Sequence, residues 1–122
     1  MNSSVLRQIR DIQVQAEKLG NRSDVDSIKQ FERYNLELKS YLLREVEDDF
    51  LLNEIRAIPE VEAEIEKNAV GSSFLLLAVA YVIPQLATYF KERSYASQAI
   101  EVIRDIRAKY ASIEFLLKNY MD

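Results

Sequence analysis

Residues 96–120 read ASQAIEVIRDIRAKYASIEFLLKNY, and their pattern decides the fold. Ala96, Ala99, Ile103, Ile106, Tyr110, Ile113, Leu117 and Tyr120 recur at steps of 3, 4, 3, 4, 3, 4 and 3. That spacing keeps one apolar stripe on one side of an α-helix for nearly four heptads. Arg104, Asp105, Lys109, Glu114 and Lys118 fall off the stripe. The spacing predicts a helix from Ser94 to about Tyr120, after Lys91-Glu92-Arg93 closes the charge-free stretch that precedes it. With the stripe at heptad positions a and d, the outermost position holds Glu101, Ala108, Phe115 and Asp122. Three of these suit water. Phe115, with Leu116 beside it, reads as a contact for a second subunit or another protein.

Upstream, residues 68–90 contain no charged side chain. About 20 apolar residues suffice to cross a bilayer. Asn68, Gln85, Thr88 and Pro84 dilute this segment, and its most apolar block, Phe74 to Ile83, is only ten residues long. A helix apolar all round belongs at the centre of a bundle. The segment is therefore expected to be a core helix that shields Phe74, Leu77, Tyr81 and Leu86. It should break between Ala80 and Pro84, where the proline ring removes a donor and clashes one turn back. A membrane span near residues 69–90 is the disfavoured alternative.

Residues 60–66 alternate Glu-Val-Glu-Ala-Glu-Ile-Glu, a strand period. Glu and Ala favour helix, and no partner strand is visible elsewhere, so a short helix is preferred. Glu47-Asp48-Asp49 interrupts the preceding pattern, which resumes in a shifted phase at Leu51, Ile55 and Ile58. This reads as a kinked continuation or a short separate helix, ended by Pro59.

Nearer the N-terminus, Val5, Ile9, Ile12, Ala16 and Leu19 mark a helix over residues 3–19. Gly20 suits its termination. A second helix follows from Ser23 to about Val46, with Asp24 and Asp26 placed to complement its dipole. Ile28, Phe31, Leu38 and Leu42 form its seam, which Asn35 interrupts. Tyr34 and Tyr41 flank one side of the seam, and Leu36 and Leu43 the other. The apolar arc is about 220° wide, against the roughly 100° of a one-sided surface helix. Such a helix needs neighbours on two sides, within the bundle or across a subunit interface.

The chain of 122 residues is thus expected to be one all-α domain, residues 1–122. The expected architecture is an antiparallel bundle of about four longer helices plus one or two short ones bridging the second and third. Cysteine, histidine and tryptophan are absent. The first two absences exclude disulfides, zinc-thiolate sites, a cysteine nucleophile and any Ser-His-Asp arrangement. The formal charge is −4 and unevenly spread. Lys/Arg against Asp/Glu run eight to seven in residues 1–45, two to eight in 46–68, and six to five in 69–122. No part is basic enough to displace counterions from nucleic acid, so no nucleic-acid partner is expected. The first residues lack a basic then apolar leader, so a cytoplasmic location is expected.

Three features carry candidate chemistry. Glu45/Asp49, Glu60/Glu64 and Glu62/Glu66 are carboxylates four apart, a spacing that on one helix could hold Mg²⁺ as helical nucleotide pyrophosphatases do in general manner. A solvated acidic face is the simpler account, and no cofactor is expected. Seven tyrosines suit either core packing with a hydroxyl at the rim or a partner surface. Asn35 either pins register from inside or faces solvent. The preferred function is a non-enzymatic helical protein–protein interaction module: adaptor, chaperone-like, immunity-like or regulatory. Its partner would be another protein or itself, as a homodimer, through Tyr34, Leu36, Tyr41, Leu43, Phe115 and Leu116. A membrane-anchored protein and a carboxylate-metal hydrolase are the alternatives.

Overall fold

The computed structural model describes residues 3–19, 24–65 and 84–121, with side chains of residues 4–19, 24–65 and 95–119. Four helices dominate them: α1 (Ser3–Lys18), α2 (Val25–Glu45), α3 (Asp49–Arg56) and α4 (Pro84–Met121). Residues 61–65 are also helical, and no strand occurs among the described residues. The chain is all-α.

Each boundary has a local cause. Asp24 caps α2, with its carboxylate accepting from the Ser27 amide at 2.8 Å. Those contacts with Ser27 hold the Asp24 carboxyl below its usual range. Asp24, expected inside the first turn, is instead the N-cap, and the helix proper begins at Val25. Val46 turns extended and ends α2. Asp48 then caps α3 by accepting from the amides of Phe50 and Leu51. The acidic triplet is therefore a helix–cap–helix junction, and α3 is a separate helix. The alternating segment resolves as helix through Glu64 N–H donating to Glu60 O.

The C-terminal helix departs from expectation at its start. It runs unbroken from Pro84, through Lys91-Glu92-Arg93 and past Ser94. Those three charged residues are good helix formers, so a change from apolar to charged alters what the helix faces without stopping it. The expected break between Ala80 and Pro84, and the shielding of Phe74, Leu77, Tyr81 and Leu86, lie outside the described side chains.

Helix α4 organises the bundle. Its predicted stripe is the core: Ala99, Ile103, Ile106, Tyr110, Ile113 and Leu117 are all buried, and Val102 joins them. Helix α1 lies antiparallel along one edge, because Arg10 pairs with Glu114 while Glu17 pairs with Arg107. Its own stripe, Val5, Ile9, Ile12 and Ala16, is buried against α4 and α2. On the other edge Lys109 pairs with Glu54 of α3 at 2.7 Å. Further along, Tyr95 reaches Glu62. Residues 54–62 therefore also run antiparallel to α4. They lie against α2 as well, since Lys39 meets Ile58 and Glu60 while Glu32 meets Glu62. The short helical segments thus occupy a bundle position beside α2 and α4, where bridging pieces were expected. Leu51, Ile55, Ile58 and Val61 carry their burial, each fully buried aliphatic side chain contributing roughly 1.5–3 kcal/mol.

Candidate interaction surface and buried polar network

The wide apolar arc of α2 is covered from within the chain on the tyrosine flank and, on the other flank, at Leu43 but not at Leu36. On the α1 side Tyr34 is half-buried. Its hydroxyl donates to Asp11 Oδ2 at 3.1 Å and to Gln8 O at 3.4 Å. Burial, then the hydrogen bond and charge of Asp11, push this phenol up to about 12. Tyr41 is partly buried against the same core, and so is Leu43 on the opposite flank. Leu36 stays 40% exposed. On α4, Leu116 packs partly against the core, whereas Phe115 is 65% exposed. The structure does not gather the six expected contact residues into one patch. Four are drawn into intrachain packing, and Leu36 and Phe115 stand free on different helices. Phe50 of α3, 61% exposed, joins them as an outward aromatic that the sequence pattern did not single out.

Asn35 faces inward, with no exposed surface. The solvent-facing alternative is therefore incorrect. Its Oδ1 accepts from the Tyr110 hydroxyl at 2.8 Å, and its Nδ2 donates to Pro59 O at 3.1 Å and to Glu32 Oε1 at 3.3 Å. Glu32, also buried, accepts from the Glu62 amide at 2.8 Å through its other oxygen. It thereby caps helical residues 61–65 from a different helix, with a negative group at their positive end. Lys39 completes the row, donating to Ile58 O at 2.9 Å and pairing with Glu60 at 3.2 Å. Tyr95 donates to Glu62 Oε1 at 2.7 Å. Desolvation by burial raises the phenols of Tyr110 and Tyr95 well above their ordinary range, so both remain protonated donors.

Glu32, Asn35 and Lys39 lie three and four residues apart, on the flank of α2 that meets residues 58–62. The missed members were legible as a polar row at helical spacing. Their partners were not, because they sit 19 to 75 residues away in sequence.

The acidic pairs also find protein partners. Glu60 binds Lys39, and Glu62 accepts from Tyr95. Glu45 ends α2 while Asp49 opens α3, so their spacing of four does not align them on one helix. Glu66 lies outside the described residues. Among the described residues no three Asp or Glu side chains gather where they could hold a metal ion. A groove between α1 and α2, lined by Gln15, Lys18, Asp24, Ser27, Phe31 and Tyr34, brings together no pair of like carboxylates.

Across the α1–α4 edge, Glu114 accepts from Arg10 at 3.1 Å and Gln13 at 2.7 Å, and pairs with Lys118 at 3.2 Å. Burial alone would raise its carboxyl. The bonds from Gln13, Arg10 and Lys118 outweigh burial and hold it below the usual range.

No described helix is long and apolar enough to cross a membrane. The candidate span near residues 69–90 lies largely outside the described residues. No family model matches the chain, and comparison with curated proteins and with solved structures gave no match.

Proposed function

We propose that this chain is a non-enzymatic helical interaction module that works by binding protein through the outward face of α4. The exposure of Phe115 carries the reading. Its side chain projects from the side of α4 opposite the buried stripe and keeps 65% of its surface in water. Burying such a side chain is worth roughly 1.5–3 kcal/mol, which this chain alone leaves unused. Around it lie Ala108, Ala111 and Ser112, all exposed and small enough to let another surface approach. Aromatic residues are enriched at interface centres, and Phe115 is the large aromatic on this face. The polar network supports the same reading, because its groups are engaged with one another and with backbone, as in a scaffold.

The test is Phe115→Glu, compared with the parent for mass by light scattering, for proteins that co-purify from its native cell, and for helicity. The expected result is a lower mass or a lost partner, with helicity and thermal midpoint retained. Unchanged mass together with an unchanged set of co-purifying proteins refutes the proposal.

A further inference from the structure

Resting on that reading, we propose that the partner is a second copy of this chain, packed antiparallel along the outer face of α4 with Arg104 of each copy over Phe115 of the other. Glu101, Arg104, Ala108, Ala111, Phe115 and Lys118 are all exposed and follow steps of 3, 4, 3, 4 and 3. They form a second heptad stripe on the back of α4, opposite the one that fills the core. A stripe of this period packs against a like stripe at a shallow crossing of about 20°.

The order of residues along the stripe chooses the occupant. Turning the helix end for end sets Glu101 opposite Lys118, Arg104 opposite Phe115 and Ala108 opposite Ala111. A two-fold axis makes each of these pairs twice, as an isologous interface requires. Glu101 and Lys118 are opposite charges. Arg104 over Phe115 is a cation on an aromatic face. The two alanines at the centre let the helix axes approach to the short end of the 8–10 Å range. A parallel copy would instead stack Glu101 on Glu101, Arg104 on Arg104 and Lys118 on Lys118. An unrelated partner would not require the stripe to be complementary to its own reverse.

The charges needed are available. The ion pairs among the described residues are Arg10–Glu114, Lys39–Glu60, Arg107–Glu17, Lys109–Glu54 and Lys118–Glu114, and Glu101 and Arg104 belong to none of them. Lys118 contacts Glu114 at 3.2 Å, yet its side chain is 47% exposed, and an ammonium has three protons to share. Asp105, Ser112 and Asn119 form a polar rim on one flank, and on the other Arg107 is turned toward Glu17 of α1 at 3.7 Å. A single helix pair is smaller than the roughly 1,200–2,000 Å² of a stable complex, so dissociation on the order of tens of micromolar is expected.

Sedimentation equilibrium from about 1 µM to about 1 mM brackets that affinity. The parent should dimerise within this range. Glu101→Lys and Lys118→Glu should each weaken the dimer at least about tenfold, because each sets like charges opposite one another. An equimolar mixture of the two variants should associate about as tightly as the parent, since every cross-pair is then opposite in sign. Should Lys118→Glu lose helicity beside Glu114, Arg104→Glu replaces it and should weaken the parent dimer by a similar factor. A parent that stays monomeric at about 1 mM overturns the second copy as partner. So does a mixture no tighter than either variant alone, or an Arg104→Glu dimer as tight as the parent. A monomeric parent whose Phe115→Glu variant still loses a co-purifying protein would retain the interaction module with a different occupant.

Discussion

Replacing Asn35 and Tyr110 singly and together tests whether the buried network is made as described. Both side chains are fully buried, and the bond between them is 2.8 Å. Tyr110→Phe keeps the ring and leaves Asn35 Oδ1 without its donor, a cost of about 1–3 kcal/mol for one buried unsatisfied group. Asn35→Leu has similar bulk but leaves three groups without the side chain they bond, the Tyr110 hydroxyl, the Pro59 carbonyl and Glu32 Oε1, and should cost about 3–9 kcal/mol before any gain from apolar packing. In the double variant the stranded hydroxyl is gone. Only the Pro59 carbonyl and Glu32 Oε1 then remain without the Asn35 donor, so the double variant should be no less stable than Asn35→Leu alone. The coupling energy should therefore be at least about 2 kcal/mol, where independent sites add to within about 0.5 kcal/mol. That is a large share of the roughly 5–15 kcal/mol that stabilises a domain. Urea unfolding followed by far-ultraviolet circular dichroism measures all four proteins. Simple additivity of the two single changes would refute the network.

Two further outcomes follow from neighbouring contacts. Glu114 has its folded pKa depressed, so its contribution is present above the ordinary carboxylate value and is lost as pH falls through the folded one. The parent should lose more thermal stability than Glu114→Gln between about pH 6 and about pH 3, and parallel curves would contradict the Arg10, Gln13 and Lys118 contacts. Glu32→Ala removes the acceptor of the Glu62 amide, which should exchange its hydrogen at least about tenfold faster; unaltered protection there would mean that Glu32 does not cap residues 61–65.

The elements with an uninterrupted stripe were readable from the chain alone. The α4 stripe from Ala99 to Leu117 and the α1 stripe from Val5 to Ala16 are buried position for position, because a 3–4 spacing admits one helix rotation. Phe115 followed from the same rotation. Boundaries were less legible where helix formers run on. Lys91-Glu92-Arg93 lowers apolarity without lowering helix propensity, and α4 continues through it. For Asn35 the inside and outside placements differed by one step of rotation, and what decides between them is remote. Pro59 O and the Tyr110 hydroxyl arrive from segments whose positions depend on the completed bundle. The flanks of α2 were ambiguous for the same reason. A wide apolar arc states that two neighbours are needed without stating that residues 49–62 of the same chain supply one of them.

The way α2 holds residues 58–62 has a consequence for how the chain tolerates change. Asn35 and Lys39 reach the carbonyls of Pro59 and Ile58, and Glu32 reaches the Glu62 amide. All three bonds are made to main-chain atoms, which most amino acids carry alike. The held segment is thus recognised largely by its path, with the burial of Ile58 and Val61 and the Lys39–Glu60 pair as the side-chain contributions. The burden of specificity is lopsided. Three positions on α2 have little room to vary, while on the held side only the side chains of Glu60 and Glu62 answer to partners, Lys39 and Tyr95, and exposed Ala63 can change with the backbone still in place.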